Sequence, residues 1–271
     1  MQQSCIICQS DDSRIKYLVD SFEIVQCKRC KLIYLRNPLP AFQDTETYDH
    51  YFKESARLTY EPDSASPVIR TLWAINKQRI DWIDRMKDVT SILDIGSGRG
   101  HFLHHASMRG YQVHGIEISR VAADYCQHIY GLTPSVLNIE SADWHIDETY
   151  DVITMWHVLE HLADPITVLK TALAYLKPNG HLIIEVPNIN SIKFRLARQQ
   201  DKWIGGNHPR HHRFFFSHHT LRNLVEKSGF QKSEIQKQSY RIPDYSQLTN
   251  VMKKWFKLIH RDAFLTLIAG R

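Results

Sequence analysis

The strongest constraint on this fold is an alternation of short apolar runs and helical segments that begins near residue 91. Four strand candidates share an apolar, β-branched composition: residues 91–95, 112–118, 151–156 and 181–186. Three helix candidates alternate with them: residues 100–109, 120–130 and 165–176. Buried strands that alternate with helices are typical of a sheet covered on both faces. The pattern therefore predicts a doubly wound α/β fold, without internal repeats.

Further signals extend this sheet at both ends of the region. Residues 135–137 and 264–270 are additional strand candidates, and residues 218–227 form a helix candidate closed by Gly229. The tripeptide 178–180, Pro-Asn-Gly, is expected to close the helix over 165–176. Two helices, over 42–58 and 66–87, are expected before the sheet.

The first forty residues carry a different signal, two C-x-x-C pairs. The pairs are Cys5 with Cys8 and Cys27 with Cys30, a spacing typical of a structural zinc site with four thiolate ligands. A unit this small buries too little apolar surface to fold without such a site. Two disulfides are the alternative, but no secretion signal is visible and a reducing compartment is expected. Cys126 is expected to pack on a helix.

These signals divide the chain into three parts. Residues 1–40 are a zinc-ribbon-like unit, residues 41–88 a helical segment that roofs the active site, and residues 89–271 the α/β domain. Within the last part, residues 191–216 are expected to form a lid or insert, and residues 245–261 an amphipathic helix.

A glycine-rich loop follows the first strand of the α/β region. It contains Asp94, Gly96, Ser97, Gly98 and Gly100, and its glycines let a ligand approach the backbone at the start of a helix. His101 stands where a dinucleotide-binding fingerprint needs glycine, and no Lys-Ser/Thr pair follows as in a P-loop. Glu117 ends the next strand, where a carboxylate can accept both hydroxyls of a ribose.

Four segments then resemble the class I S-adenosylmethionine-dependent methyltransferases: LDIGSGRGHFL, GIEIS, YDVITMWHVLEHLADP and LKPNGHLIIEVPN, in the family's order. The cysteine unit and HHRFFFSHHTLRNLVEKSGF are similar to a bacterial subgroup, many of whose members modify sugars or other secondary metabolites. The resemblance implies a Rossmann-like sheet of seven strands whose final antiparallel strand is 264–270.

The resemblance also implies a cofactor site. Asp94, with the loop backbone, would hold the methionine end of S-adenosylmethionine, and Glu117 would bind the ribose. Trp156 and His157 would approach the methyl group. Ile118 would lie against the adenine face, and Asn138, Ile139 or Glu140 would line the adenine edge.

Candidates for the acceptor side are mostly histidines. His157 and His212 are expected to act as a base or to orient the acceptor. His161 lies four residues after His157, a spacing that suits a metal site, but no third ligand is evident; packing against the sheet is the alternative. An anionic or planar acceptor is expected to meet Trp203, Arg210 and Arg213.

Charge is segregated along the chain. The net charge is +5, yet residues 191–271 hold 16 basic and 5 acidic side chains, whereas residues 41–190 hold 12 and 20. Such a basic region suits an anionic partner, or is simply solvated surface. Residues 246–261 form a basic amphipathic pattern that could contact a membrane surface, cover the active site or pack at a dimer contact.

The sequence therefore predicts a cytoplasmic methyltransferase for a small-molecule acceptor, with S-adenosylmethionine and a structural zinc ion. A 43% hydrophobic content excludes a disordered chain, and no apolar run reaches the length of a membrane-spanning helix. An RNA methyltransferase is the runner-up, and a non-catalytic binding protein is the third hypothesis. The sequence does not determine the oligomeric state.

Overall fold

The computed structural model describes residues 4–38, 45–54, 67–141, 145–192, 194, 211–236 and 263–271. Its strands are β1 (Ser13–Val19), β2 (Phe22–Cys27), β3 (Ile33–Leu35), β4 (Ser91–Ile95), β5 (Gln112–Glu117), β6 (Ser135–Val136), β7 (Tyr150–Trp156), β8 (Leu176–Pro187), β9 (Phe214–Phe215), β10 (Gln231–Gln236) and β11 (Phe264–Gly270). Its helices are α1 (Thr45–Glu54), α2 (Pro67–Ile83), α3 (His101–Met108), α4 (Arg120–Tyr130), α5 (Pro165–Ala174) and α6 (His218–Lys227).

Seven strands form the main sheet, in the order β10-β11-β8-β7-β4-β5-β6. Strand β11 runs antiparallel to both of its neighbours, whereas β4, β5, β6, β7 and β8 pair in parallel. The doubly wound sheet with an antiparallel strand at 264–270 is thereby confirmed. In such a sheet the strand order reverses beside the first strand, here β4, and ligands bind at the carboxyl ends of the strands there.

Local signals in the sequence explain the helices around this switch point. Ser119 caps α4 by accepting a hydrogen bond from the Ala122 amide, and Gly131 ends the helix at a φ of 67°. Ser217 and Thr220 form a capping box at the start of α6. These caps fix where α4 and α6 begin.

The prediction for residues 178–180 was wrong. Helix α5 ends at Ala174, and the Pro-Asn-Gly tripeptide lies inside strand β8. The pairing of β7 with β8 shifts register there, from Tyr150–Leu176 to Val152–His181. A Cβ on Gly180 would stand 3.1 Å from the Asp151 carbonyl oxygen, so glycine permits this close approach of the two backbones.

The N-terminal unit is built into the rest of the molecule. Its sheet has the order β1-β2-β3-β9, and β9 comes from a segment nearly 180 residues after β3. The buried residues Cys5, Val25 and Tyr34 belong to the same apolar cluster as Ile153 and Leu224 of the α/β domain. The unit therefore shares its core with the domain that follows it.

Some predicted features lie outside the described residues: most of 191–216 and all of 245–261. Among the helices that the structure describes, none is both long and apolar enough to span a bilayer.

Candidate active site

The glycine loop connects β4 to α3 at the switch point. Gly96, Gly98 and Gly100 all have positive φ angles, of 72°, 54° and 77°. A Cβ on Gly96 would collide with Val158, and one on Gly100 with Cys126. These two glycines are therefore required by packing as well as by backbone conformation. Gly98 differs, because a Cβ there would meet only Phe52, at 3.7 Å, among the described residues.

Glu117, at the end of β5, lies beside this loop. Its carboxylate accepts hydrogen bonds from the Gly98 amide at 2.7 Å and from the Ser119 amide at 2.9 Å. The side chain is 4% exposed, and burial raises its pKa although the amide bonds oppose that shift. A carboxylate fixed by two backbone amides at a strand end suits recognition of paired hydroxyl groups.

Asp94 is the second buried acid at the loop. It is 1% exposed and accepts a hydrogen bond from the Thr154 hydroxyl at 2.6 Å. Burial raises the pKa of Asp94 to about 7, against the opposing effects of Thr154 and Arg79. Two buried acids suit a cationic ligand, and S-adenosylmethionine carries an ammonium and a sulfonium group.

Helix α1 covers the loop from above. Asp49 accepts hydrogen bonds from the Ser119 hydroxyl at 2.5 Å and the Val121 amide at 3.2 Å, which attaches α1 to the start of α4. The Arg99 guanidinium donates to the Phe52 carbonyl at 2.9 Å. It also lies over the rings of Phe52 and Tyr125, at 5.6 and 5.3 Å. The loop is thus enclosed between α1 and α4.

Tyr48 extends this cover toward the end of β7. Burial raises its pKa to about 12, and the charges of Glu117, Glu140 and Glu160 add to the shift. Arg213 has the opposite effect. The charges that act on Tyr48 therefore come from acids that follow both β5 and β7.

His157 directly follows β7, at a φ of 59°. Its Nε2 lies 3.2 Å from Glu185, and its Nδ1 lies 3.5 Å from Glu160. Burial alone would lower the pKa of His157, but the two nearby carboxylates raise it to about 9. The side chain is 34% exposed, so the ring is fixed between two buried acids and still reaches the cleft.

Helix α2 contributes to this network through Arg79. Its guanidinium donates to Glu185 at 2.5 Å and lies over the Trp156 indole at 4.2 Å. Trp156 is 8% exposed and also packs against Phe102, with ring centroids 5.1 Å apart. The structure thus places the Trp156 side chain in the core beneath the cleft, whereas His157 reaches the surface.

His212 is almost fully buried, at 5% exposure, and burial lowers its pKa to about 3. Its ring meets that of His161, with centroids 4.6 Å apart. Glu160 completes this cluster, and the ligand atoms of the three residues all lie within 4.8 Å of one another. The pair expected from the sequence, His157 with His161, is not the group that converges: Glu160 and His212, the latter from a segment fifty residues away, surround His161 instead.

The residues expected at the adenine have varied surroundings. Ile118 is half-buried and follows Glu117, and Ile139 belongs to the apolar core. Asn138 accepts a hydrogen bond from the Glu140 amide. Glu140 itself accepts from the amides of residues 163 and 164, at 2.6 and 3.0 Å. Its carboxylate therefore holds the loop before α5.

The four N-terminal cysteines converge on one point. Cys5 Sγ lies 3.3 Å from Cys30 Sγ, and Cys8 Sγ lies 3.5 Å from Cys27 Sγ. All four sulfurs lie within 4.8 Å of one another, and none forms a disulfide. A tetrahedron with zinc–sulfur bonds of ~2.3 Å has sulfur–sulfur edges of about 3.8 Å, so the arrangement fits a four-thiolate site.

Other expected and unexpected residues complete the description. Trp203 and Arg210 lie outside the described residues, whereas Arg213 donates its amide to the Glu160 carbonyl at 2.8 Å. Sequence reasoning did not find Tyr48, Asp49, Phe52 or Glu185. The apolar run of β8 predicted a strand, and the one acid inside it, Glu185, was the available signal for a buried functional carboxylate.

Fold and site together define a class of protein with a Rossmann-like sheet, a glycine loop at its switch point and a buried acid beside that loop. A family model described as a methyltransferase domain matches residues 59–235. The chain belongs to this family.

The curated proteins that are similar to this chain are related to it only distantly in sequence. The ubiquinone biosynthesis O-methyltransferase of Chromobacterium violaceum is 27% identical over 154 residues, or 54% of this chain and 65% of that protein. The chain thus spans slightly less than two thirds of that relative. The enzyme of the same name from Acinetobacter baumannii is 27% identical over 65% of this chain and 82% of its own. A methyltransferase structure from Archaeoglobus fulgidus superposes with a TM-score of 0.56 at 20% identity, covering 82% of this chain and 100% of its own.

Proposed function

We propose that the protein transfers the methyl group of S-adenosylmethionine to a hydroxyl oxygen of a small molecule. The cover that α1 forms over the glycine loop carries this proposal. Helix α1 is attached to α4 by Asp49, and its Phe52 covers the glycine loop, so a small acceptor fits more readily than a folded polynucleotide. The O-methyltransferase names of the curated relatives support an oxygen acceptor.

The cofactor would lie along the ends of β4 and β5. Asp94 and the backbone of Gly96 and Gly98 would hold its methionine part, and Glu117 its ribose. Methyl transfer forms an oxygen–carbon bond as the sulfur–carbon bond breaks, and it leaves S-adenosylhomocysteine and a proton. Because alignment supplies much of the rate, the groups that orient the acceptor matter most. Bracketed by Glu160 and Glu185, His157 is the candidate for that contact.

The four cysteines would bind a structural zinc ion, which stabilises the N-terminal unit. Four sulfur ligands fill a tetrahedral site and leave no position for an acceptor. Thiolates persist in a reducing compartment, so a cytoplasmic location is part of the proposal. An anionic group on the acceptor would meet Arg213, whose charge acts on Tyr48.

Transfer of labelled methyl groups tests this proposal. The protein is incubated with labelled S-adenosylmethionine and, separately, with phenols, sugars, lipid-like quinols and total RNA. We expect label in a hydroxylated small molecule and none in RNA, with His157→Gln lowering kcat by about 10–1000-fold and leaving cofactor affinity unchanged. Label confined to RNA would overturn the proposal in favour of the polynucleotide alternative.

A further inference from the structure

The segment after β7 and the segment before β9 together form a second cluster of metal-ligating side chains. Glu160 and His161 come from the first segment and His212 from the second, with all three ligand atoms within 4.8 Å of one another. None of the three belongs to the four-cysteine site. Two imidazoles and one carboxylate are the ligand set of many zinc and non-haem iron sites.

The buried carboxylate of Glu160 is the strongest reason to expect a bound cation in this cluster. It is 1% exposed, and both carboxylate oxygens are buried without a hydrogen-bond partner among the described residues. The nearest charged contacts are longer, 3.5 Å to His157 and 3.9 Å to His161. A buried carboxylate without hydrogen bonds is costly; the charge of His157 at 3.5 Å offsets part of that cost, and a bound cation would offset more.

The backbone holds the two histidines in place around this carboxylate. The Glu160 carbonyl accepts hydrogen bonds from the amides of Arg213 and Phe214, at 2.8 and 3.3 Å, which fixes His212 over Glu160. His161 Nδ1 lies 2.8 Å from the His211 carbonyl oxygen and must donate a proton to it. In that tautomer Nε2 of His161 carries the lone pair, as in metal-ligating histidines whose other nitrogen is held by a carbonyl.

From this geometry we propose that Glu160, His161 and His212 bind a divalent transition-metal ion, with Zn²⁺ or Fe²⁺ preferred over Mg²⁺. Nitrogen ligands favour the transition metals, whereas Mg²⁺ favours oxygen ligands and retained waters. Three protein ligands leave coordination positions open, in contrast to the four-cysteine site. His157, the residue proposed to contact the acceptor, lies 3.5 Å from Glu160, so this site adjoins the one proposed for the acceptor.

The test is metal stoichiometry of the full chain with its four-cysteine site loaded, measured without cofactor or acceptor. Elemental analysis after equilibration with Zn²⁺ should give two ions per chain, and calorimetry should detect the second ion. His212→Asn and His161→Asn should each reduce the count to one. Cys8→Ser should weaken the other site and leave this one able to bind Zn²⁺. Mg²⁺ should give no second binding event.

His211→Asn is the matched control, because His211 is the exposed neighbour of His212 and contributes its backbone carbonyl rather than a ligand atom. It should retain two ions. One ion in the wild-type chain, or two ions in a folded His212→Asn variant, would overturn the proposal. Circular dichroism verifies folding, and the wild-type count decides the question even if a variant fails to fold. Since no methyl transfer is measured, this result is independent of the proposed acceptor.

Discussion

Asp94 shows at the scale of a single residue how burial changes the protonation of a candidate binding group. The carboxyl group is buried beside Thr154, and its pKa is raised to about 7 because burial disfavours the carboxylate. A ligand ammonium nearby would favour the carboxylate and drive the proton off. Ligand binding and proton release should therefore be linked.

We predict that the affinity for S-adenosylhomocysteine falls as the pH is lowered. A group with a pKa of about 7 in the free protein and a much lower pKa in the complex weakens binding about tenfold between pH 8 and pH 6. Calorimetry at several pH values measures this slope. In Asp94→Asn the affinity should be lower and the slope from this group absent; an unchanged slope would assign the linkage to another residue.

Asp151 is the converse case, an acid whose charged form the fold stabilises. Its Oδ2 accepts hydrogen bonds from Ser91, Thr90 and Lys177, which lower the pKa of Asp151 despite partial burial. The folded-state pKa lies below the unfolded value. The resulting stability is therefore present above about pH 4 and is lost as the pH falls below it.

Asp151→Asn should accordingly lower the free energy of unfolding by about 2 kcal/mol at pH 7. The deficit relative to the wild type should shrink as the pH falls below about 4, where the unfolded wild-type chain takes up a proton at Asp151 before the folded chain does. Urea unfolding at pH 7 and at a pH below about 4 measures this difference in the free energy of unfolding. Asp147→Asn is the control, because Asp147 is 97% exposed and should have little effect at either pH. A deficit that does not change with pH would contradict this account.

Helix α1 is the element that covers the glycine loop. It precedes the residues that match the family model, and its described contacts include Asp49 at the start of α4 and Phe52 at Arg99 and Gly98. A short helix attached through side chains should open more easily than the sheet beneath it, whose strands pair through their backbones.

Asp49→Ala should therefore loosen the attachment of α1 to the start of α4. Loss of a side chain that caps α4 costs roughly 1 kcal/mol, so we expect about fivefold weaker binding of S-adenosylhomocysteine and faster dissociation. Hydrogen exchange over 45–54 should also accelerate. Glu46→Ala is the matched change on an exposed position of the same helix. Equal effects of the two substitutions would mean that the Asp49 contact does not hold the cover.

The elements also show what sequence reasoning can and cannot predict. Caps such as Ser119 and Ser217 act within four residues, so α4 and α6 were predicted at their true bounds. Strand β10, QKSEIQ, has no apolar alternation and was missed, because its pairing with β11 rather than its own pattern makes it a strand. Similarly, His212 meets Glu160 only through long-range packing that no local spacing reveals.

At the scale of the whole molecule, residues 211–216 connect the cysteine unit with the cluster of Glu160, His161 and His212. Its Phe214 and Phe215 form β9, which completes the sheet of the cysteine unit, while His212 faces Glu160 and His161. The cysteine unit and the α/β domain also share one apolar cluster. The boundary predicted at residue 40 therefore separates the two parts along the chain, although they share one apolar core.

Loss of the zinc ion proposed for the four cysteines should consequently destabilise the adjoining part of the α/β domain. We expect chelation, or Cys8→Ser, to accelerate hydrogen exchange in β3, β9 and the adjoining residues 211–213, and to lower the Tm of a single unfolding transition. An unfolding curve with two separate steps, with exchange in 211–216 unchanged, would mean that the unit folds independently of the site.

Calorimetric titration with S-adenosylhomocysteine is the most direct test of the central claim, that the loop between β4 and α3 and the acid after it form the cofactor site. We predict micromolar binding by the wild type and a loss of at least about tenfold in Glu117→Gln, because Glu117 would accept the ribose hydroxyls. Glu148→Gln, at an exposed position, should bind as the wild type does. Undiminished binding by a folded Glu117→Gln variant would contradict the site proposed for the cofactor.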